Sequence, residues 1–205
     1  MISVYDMKIQ ELKVIYICPA HNEKYSKRKI HMDTLLHSIG FTDIEHYVSG
    51  TENYPACLIN ATLTILQKYL YVPFLLLEDD VEFTDIYEFD YAKEADAIYF
   101  GLSKYGGSLT RDSWEGFAVH EPYSQRQTRV LNMLSAHAVF YNSVRYKQAV
   151  IDTLTPYKEK SYNSDVLISR IQKNYLVLAE KQPFFYQSSK FNNENQEDAT
   201  RIFLE

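Results

Sequence analysis

The chain has 205 residues, of which 46% are hydrophobic and 23% are charged, values close to those of ordinary globular domains. This composition excludes a disordered, collagen-like or coiled-coil chain, and the length predicts one domain over residues 1–205. The 27 acidic residues outnumber the 21 basic ones, so the formal net charge is −6 and we expect no nucleic-acid partner.

Cysteine content and apolar runs indicate where such a chain works. Cys18 and Cys57 lie in apolar stretches, where a thiol behaves as a small buried hydrophobe, and two cysteines make no disulfide framework. We therefore expect a reducing, cytoplasmic compartment. The longest apolar runs, residues 14–19 and 73–77, are far shorter than the ~20 residues that span a bilayer, so no transmembrane segment is predicted.

The first half of the chain predicts alternating strands and helices. In chain order these are a strand at 13–18, a helix at 26–39, a strand at 43–48, a helix at 55–70 and a strand at 73–78. The last strand has four apolar residues in a row, which is typical of a strand buried on both faces. The alternation favours an α/β fold whose ligands gather at the carboxyl ends of the strands.

The second half of the chain gives weaker patterns. The predicted elements are strands at 96–102, 117–120, 128–141 and 183–186, helices at 143–154 and 164–175, a loop at 103–111 and a polar tail after residue 189.

An acidic triplet, Glu78-Asp79-Asp80, directly follows the most apolar strand. Three adjacent carboxylates repel one another and are costly to desolvate, so a stable structure supplies a cation or solvent. Carboxylates without a nearby Cys or His pattern suit a hard ion, Mg²⁺ or Mn²⁺, which often also binds phosphate oxygens. The alternative is a solvated strand end with no ligand at all.

The segment Phe74-Leu-Leu-Leu-Glu-Asp-Asp-Val-Glu-Phe83 resembles the metal-binding Asp-X-Asp type motif of GT-A glycosyltransferases. The Glu-Asp-Asp version is similar to that of lipopolysaccharide-type transferases of glycosyltransferase family 25 and of small virus-encoded GT-A enzymes. Further matches are Cys18-Pro-Ala-His-Asn22, the helix from Pro55, Ser135-Ala-His-Ala-Val-Phe140, Asn163-Ser-Asp-Val-Leu167 and Pro183-Phe-Phe-Tyr-Gln187. The resemblance spans about residues 13–189. It implies a GT-A-like, Rossmann-type mixed sheet flanked by helices.

The resemblance also implies a division of the site. The nucleotide-binding half is expected at about residues 1–102 and the acceptor-binding half at about 103–205. The implied donor is a nucleotide-diphosphate sugar of the UDP or GDP type, and the implied acceptor is a glycan. The residues implied to bind the nucleotide sugar are Pro19, Ala20, His21, Asn22, Tyr25, Arg28 or Lys29, Glu78, Asp79 and Gln187.

Metal and catalytic roles follow from the same resemblance. Asp80 is the strongest metal-ligand candidate, joined by Asp79 and His137, although similar enzymes often take a histidine from later in the chain and none follows His137 here. Asp165 matches the position where inverting enzymes often keep the base that deprotonates the acceptor. Each residue also has a structural interpretation: His137 as a core histidine, and Asp165 as an acid favoured at a helix start.

Other functions fit the sequence less well. A phosphate-cradling Gly-x-x-x-x-Gly-Lys-Ser/Thr loop is missing, and so is a Gly-x-Gly-x-x-Gly after the first strand, which disfavours a nucleotide hydrolase and a dehydrogenase. Two alternatives stay open: a nucleotidyltransferase of similar architecture and a catalytically silent sugar-binding module. The aromatic excess of 18 tyrosines and 11 phenylalanines suits sugar or base contacts, and the single tryptophan, Trp114, could stack on a sugar.

Overall fold

A computed structural model describes residues 4–19, 22–51 and 53–204, and its centre is a mixed sheet of eight strands. In those residues the strands are β1 Val4–Lys8, β2 Val14–Ile17, β3 Ile44–Tyr47, β4 Phe74–Glu78, β5 Val81–Phe83, β6 Glu88–Ala92, β7 Ala97–Tyr99, β8 Tyr105–Gly107, β9 Trp114–Phe117, β10 Val119–Pro122, β11 Gln127–Asn132, β12 Ala138–Tyr141, β13 Val177–Glu180 and β14 Phe185–Gln187. The helices are α1 Glu23–Ile39, α2 Ala56–Lys68, α3 Val144–Leu154, α4 Ser164–Ser169 and α5 Glu194–Thr200.

The large sheet has the strand order β10-β11-β13-β7-β12-β4-β2-β3. Strands β3, β2 and β4 are parallel to one another, whereas β12 is antiparallel to both β4 and β7. It follows that β4 and β7 run in the same direction. The carboxyl ends of β2, β4 and β7 therefore lie at one edge of the sheet, where α/β proteins place their ligand sites.

Both faces of the sheet are covered by apolar side chains. On β2, Ile15 and Ile17 belong to a core shared with helices α2, α3 and α4. The alternate residues Val14 and Tyr16 belong to a second core, shared with α1 and with the ribbon formed by β1 and β6. This alternation confirms the predicted α/β class, a mixed sheet flanked by helices.

Local capping determines where the first helices begin and end. Helix α1 starts before the predicted residue 26 because the Asn22 Oδ1 accepts a hydrogen bond from the Tyr25 amide at 3.1 Å. It ends at Gly40, whose φ of 98° is left-handed and favours glycine. Pro55 was predicted inside the first turn of α2 and instead precedes the helix as its N-cap. In the described residues no helix combines the length and apolar character needed to cross a membrane.

The second half of the chain differs from the prediction in several elements. The strand predicted at 128–141 is two strands, β11 and β12, and the helix predicted at 164–175 shortens to α4 followed by a 3-10 turn at Gln172–Asn174. One side chain accounts for the strand break: the Gln172 amide accepts from the Met133 backbone N–H at 2.7 Å and donates to the Met133 carbonyl at 3.0 Å. Strand β13 and helix α5 were not predicted, and β8 lies in the predicted loop at 103–111.

Candidate active site

The acidic triplet lies at the edge of the sheet where the carboxyl ends of β2 and β4 meet. Glu78 is the last residue of β4, and Asp79 and Asp80 form the turn before β5. Strand β14 pairs with β5 so that Gln187 lies opposite Val81, and the Ser188 amide donates to the Asp80 carbonyl at 2.8 Å. A strand from the end of the chain therefore encloses the acidic turn.

A buried ion pair neutralises part of this charge. The Arg28 Nη1 donates to Asp79 Oδ1 at 2.6 Å and lies 3.7 Å from Asp80 Oδ2. Its other terminal nitrogen, Nη2, donates to the Phe191 carbonyl at 2.8 Å, and the Phe191 ring lies under the guanidinium, 5.5 Å away. Helix α1 thus delivers one cation to two carboxylates of the turn.

Amide side chains surround the rest of the triplet. The Asn192 Nδ2 donates to Asp80 Oδ2 at 3.0 Å, and the Gln187 Nε2 lies 3.2 Å from Glu78 Oε2 and 3.4 Å from Asp80 Oδ1. Gln187 is held in turn by Gln196 of α5, whose Nε2 donates to its Oε1. The C-terminal residues therefore fix the orientation of the acids.

Burial raises the pKa of Glu78, Asp79 and Asp165. Desolvation, followed by the charges of Asp80 and Asp165, raises the pKa of Glu78 well above its ordinary value. Desolvation also raises the pKa of Asp79, although Arg28 opposes it, and burial raises the pKa of Asp165. Each carboxylate is costly to keep charged here, which is typical of a site that receives a cation or a proton.

His137 is buried beside the same cluster. Desolvation lowers the pKa of His137 to about 4, although the charge of Asp80 opposes the shift, so the ring is neutral at pH 7. Its Nδ1 lies 3.0 Å from the Ser135 hydroxyl, while Nε2 has no hydrogen-bond partner among the described residues. Close approach of the ring requires glycine at 101, where a Cβ would lie 2.1 Å from His137 Nε2.

Two clefts meet at the acidic triplet. The smaller, of about 120 Å³, is lined by Pro19, Tyr25, Arg28 and all three acids. It shares Ser49, Gly50 and Cys57 with a surface groove of about 580 Å³ beside α2. The larger cleft, of about 460 Å³, shares Tyr54, Leu58 and Glu78 with the smaller one. Glu78 therefore borders both clefts.

The larger cleft has a different chemical character from the smaller one. Its charged lining residues are Glu78 and Asp165, and the described residues that line it include no lysine or arginine. The rest of its polar wall consists mainly of amides and hydroxyls: Ser103, Ser135, Asn163, Ser164, Gln187, Asn193, Asn195, Gln196 and Thr200. The rings of Tyr105 and Trp114 and the buried His137 complete it. Such a wall suits a neutral, polyhydroxylated ligand.

Most of the predicted site residues come together at these clefts. Those that line one of them are Pro19, Tyr25, Arg28, Glu78, Asp79, Asp80, Trp114, His137, Asp165 and Gln187. Ala20 and His21 lie outside the described residues. Asn22 uses its side chain to cap α1, and Lys29 pairs with Asp33 at 2.5 Å on the same helix. Of the two cations that the sequence offers, Arg28 and Lys29, it is Arg28 that contacts the acids.

A divalent ion fits part of this arrangement. Within the described residues no three His, Cys, Asp or Glu side chains form a group that could hold a metal. In phosphate-bearing sites, however, Mg²⁺ is usually bound by one or two carboxylates and completed by phosphate oxygens and water. Asp79 and Asp80 both line the smaller cleft, so the turn presents two carboxylates of the kind that such an ion binds.

Sequence patterns missed several residues around the acids. Phe191, Asn192 and Gln196 belong to the segment predicted as a polar tail, yet they contact Arg28, Asp80 and Gln187. A signal was present: Asn193 followed three residues later by Gln196 is a helix-start pattern, and Asn193 Oδ1 does accept from the Gln196 amide at 2.9 Å. This pattern predicts a helix where α5 lies, in place of a polar tail.

No protein-family model matches this chain, and no curated protein does. Solved structures similar to it include UTP-bound UGPase from Acinetobacter baumannii, with 12% identity and a TM-score of 0.43 over 79% of this chain and 61% of that one. Others are CTP:phosphocholine cytidylyltransferase from Streptococcus pneumoniae (8% identity, TM-score 0.42, 91% of this chain and 98% of that one) and a nucleoside-diphosphate-sugar pyrophosphorylase from Vibrio cholerae RC9 (13%, 0.42, 82% and 70%). The chain spans 61% of the length of the first. At these TM-scores the likenesses assign neither a family nor a function to this chain.

Proposed function

We propose that this protein transfers a sugar from a nucleotide-diphosphate sugar to a hydroxyl group of a glycan acceptor. The observation that carries the proposal is the pair of clefts joined at Glu78, one containing Arg28 and the acidic turn, the other uncharged apart from two carboxylates. A transferase needs both substrates within reach of one another, and adjoining clefts supply that arrangement.

The smaller cleft is the proposed donor side. Tyr25 offers a ring to a base, Arg28 offers a cation to a diphosphate, and the shared Ser49 and Gly50 open the cleft toward the 580 Å³ groove. Its lining residues all precede residue 81, whereas most of the residues that line the larger cleft follow residue 102. This distribution supports a donor-binding half at residues 1–102 and an acceptor-binding half at 103–205.

The larger cleft favours a glycosyltransferase over a nucleotidyltransferase. A nucleotidyltransferase that couples a nucleotide to a phosphorylated partner needs positive charge for that second phosphate. The described lining of this cleft offers no lysine or arginine, and Glu78 and Asp165 would repel a phosphate. A hydroxyl acceptor meets no such repulsion. A silent binding module, in turn, has no need to bury this many carboxylates.

The proposed chemistry divides among the acids. Asp80, with Asp79 and the neutral His137 as further candidate ligands, would hold Mn²⁺ or Mg²⁺, and such an ion, when bound, neutralises charge on a departing nucleoside diphosphate. Asp165 is the proposed base that takes the proton of the acceptor hydroxyl. Its raised pKa brings it closer to the pH at which a base works best, and it lines the cleft where that hydroxyl would lie. We further propose a cytoplasmic location, consistent with free thiols at Cys18 and Cys57.

Calorimetric titration of UDP and GDP, with and without Mn²⁺, tests the proposal. We expect one nucleotide to bind and Mn²⁺ to strengthen binding.

Asp80→Ala should abolish metal-dependent donor hydrolysis, while Asp165→Asn should keep donor binding and lower transfer by about 100-fold or more. Asp152→Asn, an exposed acid on α3, is the matched control and should change neither.

Failure of both nucleotides to bind under every metal condition would contradict the proposal. Equal loss of donor binding and transfer in Asp165→Asn would assign that residue a structural role. Unchanged hydrolysis in Asp80→Ala would remove Asp80 from the metal ligands.

A further inference from the structure

The hairpin of β8 and β9 presents two aromatic rings at the rim of the larger cleft. The centroids of Tyr105 and Trp114 lie 5.2 Å apart with their planes inclined by 42°, and both residues line the cleft. Trp114 is 63% exposed although it is the largest apolar side chain in the protein. Its direct cross-strand neighbour is Gly107, which has no side chain to cover it, so the indole leans on Tyr105 and keeps most of its surface open.

The hairpin is fastened to the elements that carry the proposed base. Asp112 accepts hydrogen bonds from the Asn163 backbone N–H at 2.9 Å and from its Nδ2 at 3.2 Å, immediately before α4. At the C-terminal end of α4, Arg170 donates to the carbonyls of Ser108 and Arg111 at 2.9 and 2.8 Å. These contacts hold the aromatic rings in a fixed relation to Asp165, which lies in the first turn of that helix.

The other strand of the hairpin is held in the same way. The Asn132 side chain of β11 accepts from the Gly107 N–H at 2.6 Å and donates to the Gly107 carbonyl at 2.9 Å, as a neighbouring strand would. The two rings are therefore a preformed surface, and a ligand that stacks on them loses little free energy to ordering the protein.

The remaining wall of the cleft specifies the chemistry of that ligand. Amides such as Asn163, Asn195 and Gln196 both donate and accept hydrogen bonds, which matches sugar hydroxyls, and no basic side chain among the described lining residues favours an anion. A pyranose ring has an apolar face of C–H groups that stacks on an aromatic ring and polar edges that reach such amides.

We propose that Tyr105 and Trp114 form a stacking platform for an uncharged sugar ring of the acceptor, a binding site that deepens the proposed transferase function and rests on it. The platform selects neutral glycans over phosphorylated or acidic ones. Trp114 makes the larger contact with the sugar, and the Tyr105 ring packs against the indole.

Because Trp114 is the single tryptophan in the chain, its emission reports ligand binding at the platform directly. The protein is titrated without nucleotide with four neutral disaccharides, lactose, maltose, cellobiose and N,N′-diacetylchitobiose, and with glucose 1-phosphate as the charged probe. We expect at least one neutral disaccharide to change the emission saturably, and glucose 1-phosphate to bind more weakly. Saturation-transfer difference NMR gives the affinities of variants that lack the indole.

Trp114→Ala should weaken the binding of the responding disaccharide by about fivefold or more, and Trp114→Phe by less, since it keeps a ring. Leu109→Ala is the matched control: this residue is in the loop that joins β8 to β9, is 59% exposed and does not line the cleft, so it should change affinity by less than about twofold. Thermal unfolding of each variant shows whether it is folded.

Three results would overturn the platform: no neutral disaccharide changes the emission, glucose 1-phosphate binds more tightly than all of them, or a folded Trp114→Ala binds as well as the wild type. Titration of UDP and GDP on the same samples separates the two proposals. If a nucleotide binds and no sugar changes the emission, the platform alone is rejected. If neither UDP nor GDP binds the wild-type protein, the transferase function is rejected.

Discussion

Among individual residues, Arg28 is the cation that compensates two adjacent buried carboxylates, Asp79 and Asp80. Arg28, Asp79 and Asp80 are each less than 9% exposed, and one guanidinium serves both acids. Taking such charges out of water costs several kcal/mol per ion, which their attraction repays when the geometry is close. Removing the cation alone leaves the buried acids without a compensating positive charge, a worse state than removing the whole pair.

Arg28→Met tests this dependence. We expect it to lower the free energy of unfolding by about 3 kcal/mol, because it leaves Asp79 uncompensated in a buried site. Urea unfolding followed by circular dichroism measures the change. Adding Asp79→Asn to this variant should restore part of the loss, since the double variant buries no unpaired charge at these two positions.

Lys27→Met is the control for this prediction. Lys27 lies on the same helix and pairs with Glu23, but its side chain is 71% exposed, so we expect a change within about 0.5 kcal/mol. If Arg28→Met were as stable as Lys27→Met, the ion pair with Asp79 would contribute nothing to the fold.

Among the elements of the fold, the β8–β9 hairpin and α4 form one unit. Gly107 lies so close to α4 that a Cβ there would be 2.1 Å from the Ser169 Oγ and 3.1 Å from Leu134 Cδ2. Ser169 is fully buried, and its hydroxyl donates to the Val166 carbonyl at 2.9 Å. The absence of a side chain at residue 107 thus lets the hairpin pack directly on the helix that carries Asp165.

Gly107→Ala should separate these two elements. We expect it to lower the free energy of unfolding by about 1–3 kcal/mol, the usual cost of overpacking. It should also weaken the proposed glycan transfer more than donor binding, because the hairpin and α4 border the larger cleft, the proposed acceptor side. Urea unfolding and paired assays of UDP or GDP binding and transfer measure both effects.

The matched variant is Gly107→Ala with Ser169→Ala. It removes the oxygen at 2.1 Å and leaves the Ser169 Cβ at 3.2 Å, a contact that a small shift relieves. It should therefore be more stable than Gly107→Ala alone. A double variant that is no more stable would show that the cost at residue 107 arises elsewhere, for example at Leu134.

The sequence predicted the elements whose signals are local. Strand β4 is a run of apolar residues followed by acids, and α1 ends at a glycine in the left-handed conformation, so both were predictable from their own residues. The break between β11 and β12 was not, because it depends on the Gln172 side chain bonding to Met133, 39 residues away. Periodicity cannot report a contact of that kind.

The same distinction applies to the candidate site. The positions of Asp79, Asp80 and Gln187 were predictable because each lies at the end of a strand or within two residues of it. Whether Arg28 or Lys29 faces the acids depends on the rotation of α1, and the pairing of Tyr105 with Trp114 depends on a hairpin predicted as a loop. The contact of Asn192 with Asp80 joins residues 112 apart in sequence, which no local pattern indicates.

Across the whole molecule, the point where the two clefts meet has an electrostatic cost to stability. Glu78 ends a strand of the central sheet and borders both clefts, and the charges of Asp80, Asp165 and Asp79 all oppose its ionisation. A residue selected for the fold alone would not be a carboxyl there. An unfavourable charge environment of this kind is expected where function, and not stability, determines which residue is present.

Glu78→Gln should therefore stabilise the protein at alkaline pH and impair transfer. The pKa of Glu78 is raised above its unfolded value, so its contribution to stability is fully present below the unfolded pKa of about 4.3 and is lost as pH rises through the folded pKa. Glutamine carries no proton to lose, and its amide can still bond to Gln187. We expect the variant to match the wild type near pH 4 and to be more stable than the wild type at pH 8, as measured by urea unfolding at pH 4, 6 and 8. Glu159→Gln, an exposed acid, should show no such difference.

A Glu78→Gln protein that is less stable than the wild type at pH 8 would mean that the carboxylate supports the fold through its 3.2 Å contact with the Gln187 amide. A stabilised variant that has lost transfer but still binds nucleotide would instead place Glu78 at the functional junction of the two clefts.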